Sequence, residues 1–171
     1  MADGTARYAF ENGTWFLKLE GDLRHPLGPA LNALLDQAFA DPRTTQFVID
    51  LSGAESIDST CLGILARIGN ESARRGAAKP TIISPNADIN EVLLATCFDL
   101  LFRLVTSADV TGDRLHEASP VDGDPDSMLA LILEAHRRLC AIDERTHSAF
   151  REVVRALEDD LRNRGSDPSF S

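Results

Sequence analysis

The residues best placed to do chemistry stand together at Asp58-Ser59-Thr60. One carboxylate beside two hydroxyls offers a helix cap and a place where chemistry can happen. The residues before them, Phe47, Val48, Ile49 and Leu51, suit a buried strand. Ser52-Gly53 breaks that strand and Ile57 re-enters apolar surroundings. The residues after them, Leu62, Ile64, Leu65 and Ile68, have helical spacing and run toward Arg74-Arg75-Gly76. The pattern predicts a strand, a short loop and a helix whose first turn carries hydroxyls. Free N–H groups and the helix dipole favour a negative group at such a place.

Other chemistry finds little support. His25, His116, His136 and His147 are dispersed, with no pair at helical i,i+4 spacing. Three cysteines, an odd number at wide spacing, make neither a disulfide framework nor a paired metal motif. No Ser-His-Asp arrangement and no glycine-rich phosphate loop can be argued, so the expectation is no catalytic residue, no metal, no cofactor and no enzyme. Cys61 and Cys97 read as small apolar packing. A redox role for either would require exposure and a lowered pKa.

The composition, 43% hydrophobic and 26% charged over 171 residues, is that of a soluble globular domain with an addition. No apolar run approaches the ~20 residues that span a bilayer, so no membrane insertion is expected. MADGTARYAF has no charged-then-apolar signal pattern, which places the chain in the cytoplasm. A net charge of −10 argues against direct nucleic-acid binding. It suits solubility, or a basic partner.

The elements that position Ser59 follow in order. Tyr8-Ala9-Phe10 and Trp15 to Leu19 flank Asn12-Gly13, a strong hairpin signal. Gly21-Asp22 closes the second strand. Pro26 to Ala40 carries Leu27, Leu31, Leu34, Leu35 and Ala38 on one stripe, and Asp41-Pro42 stops that helix. Beyond the Ser59 helix, Thr81 to Ser84 is a short strand. A helix with Ile89, Val92 and Leu93 is entered through Asn86 or Asp88, and Phe102 to Val105 is a last strand. A hairpin followed by alternating strands and helices predicts an α/β fold, a mixed sheet covered by helices.

Apolar strand, Asp58-Ser59-Thr60, Cys61, Leu62-Gly63 and apolar helix in this order resemble the STAS domains of bacterial anti-sigma factor antagonists. The likeness continues through Ser84-Pro85-Asn86 and Cys97-Phe98-Asp99-Leu100-Leu101-Phe102, over roughly residues 7–106. The family usually has Gly where this chain has Cys61, and again where it has Cys97. The resemblance implies a STAS-like sheet and a partner-switching cycle with Ser59 as the phosphorylated residue. Asp58, Ser59, Thr60, Cys61 and Leu62 are then the partner-binding neighbourhood, with Asp58 orienting the hydroxyl. The implied partners are an anti-sigma factor or serine kinase, bound when Ser59 is unphosphorylated so that a sigma factor is released, and a PP2C-type phosphatase. Two other readings are a STAS subunit of a membrane transport complex, docked on an ATPase, and an interaction module without phosphorylation.

Domain limits read as 1–106 for the STAS domain, 107–125 for an acidic Gly/Pro/Asp linker and 126–171 for a helical extension with a frayed C-terminus. Asp126 or Ser127 is the expected cap. The apolar residues from Met128 to Leu161 mix spacings of three and four, with a polar interruption at Asp143 to Ser148. A straight helix of that length would need a second chain, making a homodimer. A break at the polar stretch would give an intramolecular hairpin leaning on the first domain, and the interruption favours the hairpin.

Overall fold

The computed structural model describes residues 2–109 and 114–165. Strands β1 (Thr5–Glu11) and β2 (Thr14–Leu23) form the expected antiparallel hairpin. Asn12 and Gly13 at its tip have φ of 50° and 82°, the left-handed pair that a tight hairpin turn demands. Trp15, Leu17, Leu19 and Leu23 alternate into the core. The Trp15 indole N–H donates to Thr44 Oγ1 at 2.8 Å, and that hydroxyl donates to the Ala38 carbonyl at 2.7 Å. The indole N–H and the Thr44 hydroxyl, both buried, thereby satisfy one another and the Ala38 carbonyl, as burial requires.

β2 does not end at Gly21-Asp22. Gly21, with φ 82°, permits a register shift there, and the strand continues to Leu23. Its first half pairs in parallel with β3 (Gln46–Asp50), its second with β4 (Ala54–Ile57). The residues before Asp58 are therefore strand rather than loop, which fixes the height at which Asp58 leaves the sheet. α1 (Gly28–Ala40) connects β2 to β3, preceded by a single 3-10 turn at His25–Leu27. After α2 (Ser59–Arg74) come β5 (Thr81–Ile83), α3 (Ala87–Ala95) and β6 (Arg103–Val105). Asn86 caps α3, its side-chain oxygen accepting from the N–H groups of Asp88 and Ile89.

Across the sheet the strands run β6-β5-β3-β2-β1-β7, with β4 beside β2. β7 (His116–Glu117) lies inside the stretch read from composition as a linker. It pairs with Tyr8 and Arg7 of β1, and the Ala118 N–H donates to the Ala6 carbonyl at 2.9 Å. The correction has a simple cause: β1 would otherwise be an open edge, and even two residues can satisfy part of it.

The extension folds back on itself. α4 (Pro125–Cys140) and α5 (Glu144–Gly165) pack on one another, and α4 lies along α2. Asp124, not Asp126 or Ser127, caps α4 by accepting from the Ser127 N–H. Pro125 in the first turn has no N–H to leave unpaired. Between the helices the Asp143 N–H donates to Thr146 Oγ1 at 3.0 Å, and Asp143 Oδ1 accepts from the Arg145 N–H. This reciprocal cap restarts the chain as a new helix. The frayed end expected beyond Gly165 lies outside the described residues.

Candidate functional site

Ser59 is the first residue of α2, delivered there by β4 and capped by Asp58. Asp58 Oδ1 accepts from the Cys61 N–H at 2.8 Å and Oδ2 from the His25 N–H at 2.7 Å. The carboxylate is thereby spent on two backbone donors, closing the start of α2 and tying it to the turn before α1. It does not orient the Ser59 hydroxyl.

The residue that does is His136, on α4. Ser59 Oγ lies 2.8 Å from His136 Nε2, while His136 Nδ1 lies 2.7 Å from the Ile132 carbonyl oxygen. A carbonyl only accepts, so Nδ1 carries the proton; in the neutral ring Nε2 is then the acceptor and Ser59 O–H the donor. His136 is buried and packs edge-on against Phe150 of α5, with ring centroids 5.9 Å apart. The half-buried serine is thus met by an imidazole held from three directions. Periodicity could not have found this pair. The two residues are 77 positions apart in sequence and His136 carries no local motif.

The remaining residues named for partner binding do not form an outer surface. Thr60, Cys61 and Leu62 are all buried, because α2 is enclosed by the sheet and α1 and then by α4. The Cys61 thiol donates to the Arg24 carbonyl. Burial, and then the Asp58 carboxylate, push its pKa well above the ordinary thiol range, the opposite of a redox-sensitive cysteine. Cys97 is also buried and has φ 61° at the end of α3. That is the left-handed position a helix terminus usually gives to glycine.

Gly63 explains how closely the extension sits. A methyl group on its α-carbon would overlap the backbone carbonyl of Ala135. Only a residue without a side chain lets α4 cross α2 at this depth, and the crossing brings His136 over Ser59.

Residues 6–82 match the family model described as Mlab, STAS domain. Among solved structures, the anti-sigma factor antagonist SpoIIAA in its unphosphorylated form is similar with a TM-score of 0.52 at 14% identity, over 61% of this chain and 90% of that one. An anti-sigma factor antagonist from Mycobacterium paratuberculosis is similar with a TM-score of 0.52 at 23% identity, over 63% of this chain and 89% of that one. No curated protein matches in sequence. Residues 6–82 are thus similar to STAS domains, and the chain shares their fold, with a helical pair laid over the Ser59 helix.

Proposed function

We propose that the chain is a regulatory protein of a bacterial partner-switching pathway. Unphosphorylated, it binds an anti-sigma factor and releases a sigma factor; a serine kinase phosphorylates Ser59 and a PP2C-type phosphatase reverses the step. The chain is substrate and switch rather than catalyst, acting in the cytoplasm. Among the described residues no helix is long and apolar enough to cross a membrane.

The observation that carries this reading is a serine hydroxyl at the first position of α2, on a STAS fold shared with two anti-sigma factor antagonists. A phosphate at that point meets the positive end of the helix, so the domain tolerates it. A partner surface fitted to a neutral hydroxyl does not, and affinity falls without unfolding.

The test is phosphate mapping and binding with the serine kinase and anti-sigma factor of the same organism. Ser59→Ala is expected to abolish phosphorylation and keep binding, while Ser59→Asp weakens binding about tenfold or more. Phosphate found on Thr60 alone, or none with an active kinase, refutes the assignment. Capture of a transporter ATPase in place of an anti-sigma factor would move the chain to the transport-subunit reading.

A further inference from the structure

The Ser59 hydroxyl faces two ways: toward whatever modifies or recognises it, and toward His136 of the chain's own extension. We propose that docking of α4 on α2 and phosphorylation of Ser59 are mutually exclusive, so that the α4–α5 pair is a built-in cover released by the phosphate. The proposal rests on the preceding reading only for the identity of the signal.

The chemistry starts with one proton. In the covered state Ser59 O–H donates to His136 Nε2. Phosphorylation breaks that O–H bond and forms an O–P bond. The phosphoryl group comes from a nucleoside triphosphate held by the kinase, the nucleoside diphosphate leaves, and the proton passes to the kinase's base. What remains at 59 is an ester oxygen carrying a dianionic group. It has no proton for Nε2, so two acceptors now face each other where a donor and an acceptor did.

The ring has no room to retreat. Nδ1 is held by the Ile132 carbonyl, and Phe150 packs against the ring. One residue earlier, the Ala135 backbone already lies against Gly63. A helix with this little clearance cannot shift by a fraction of its width; it stays or it leaves. The apolar residues beside His136 on α4, Leu133 and Leu139, are buried, so leaving exposes them together with the face of α2. Thermodynamic linkage makes the effect reciprocal: if the phosphate disfavours the cover, the cover disfavours phosphorylation by the same factor. Because His136 engages the Ser59 hydroxyl in the covered state, the kinase must act on a minor, uncovered population, or be helped by something that lifts the pair.

The experiment installs phosphoserine at position 59 of the full chain by codon reassignment, so no kinase is needed, and follows amide hydrogen exchange. Exchange in residues 125–140 and in the α2 face is expected to rise about tenfold or more over the unmodified chain. Ser59→Ala, which removes the hydrogen bond without adding bulk or charge, should raise it only a fewfold. Fluorescence of Trp15, the single tryptophan and part of the sheet core, reports whether the STAS domain stays folded. If phosphoserine unfolds the whole domain, Ala135→Glu provides the second route. That change lifts α4 from its own side, and Ser59 in it should then be modified about tenfold faster than in the wild type by the same kinase. Unchanged exchange with phosphoserine overturns the proposal, as does slowed exchange, which would mean that a protonated His136 clamps the phosphate. Equal phosphorylation rates in the covered and lifted chains overturn it too. Absence of phosphate on Ser59 in either chain is a separate outcome: it refutes the partner-switching reading, while the exchange result decides the cover.

Discussion

At the scale of single residues, the site is defined by what each polar group is already doing. Asp58 has both oxygens on backbone donors, Ser59 is held by His136, and the Cys61 S–H donates to the Arg24 carbonyl. Cys61 yields a prediction about pH. Burial raises its pKa in the folded chain above the ordinary value of 9.0, whereas the unfolded chain keeps a value near that. The folded state therefore holds the proton more tightly. Its contribution is intact below pH 9 and is lost as pH rises above it, at no more than about 1.4 kcal/mol per unit. Thermal melts from pH 8 to pH 10 should show the wild type losing stability faster than Cys61→Ala. Parallel pH profiles for the two would show that Cys61 ionises as freely in the folded chain as in the unfolded one. Ser59 and its cap were legible in the sequence because both signals are local. His136 was not, because what makes it a site residue is the crossing of two helices far apart in the chain.

At the scale of elements, α2 is the piece that everything else addresses. The sheet and α1 bury one side of it, α4 another, and its N-terminus carries the hydroxyl. The hairpin, the order of strands and helices and the folded-back extension follow from Asn12-Gly13, from alternating periodicity and from the polar interruption near Asp143. β4 and β7 are not legible because Ala54-Glu55-Ser56-Ile57 and His116-Glu117 lack the β-branched or aromatic run that marks Thr81–Ile83 and the stretch from Phe102 to Val105. Gly63 gives the element-level test. In a free helix Gly→Ala gains about 1 kcal/mol. Here the added methyl meets the Ala135 carbonyl, and overpacking of this kind costs about 1–3 kcal/mol. Gly63→Ala should therefore lower the denaturation midpoint, and Ala135→Gly should not rescue it, since the obstacle is backbone. A stabilised Gly63→Ala chain would show that α4 does not cross α2 at this depth.

At the scale of the whole molecule, the question is what the extension does with its apolar surface. A straight helix of its length would reach well beyond the domain, at ~1.5 Å per residue, and would need a second chain. The break at Ala141 to Asp143 removes that need. Leu129, Leu133, Ala135 and Leu139 of α4 are buried, and Phe150, Val154, Leu157 and Leu161 of α5 are half-buried. The outer face of α5 is instead a row of charges, with Arg155–Glu152 at 3.5 Å and Arg162–Asp159 at 3.1 Å among its ion pairs. Exposed pairs of this kind add little stability. They do make the surface a poor one for self-association, as does the net charge of −10. The full chain should accordingly be a monomer by light scattering from micromolar to millimolar concentration, at low and at moderate salt. A dimer persisting at the lowest concentration would mean that α5 packs on the α4 of a second chain. The His136–Phe150 contact would then join two molecules, and the cover over Ser59 would depend on concentration.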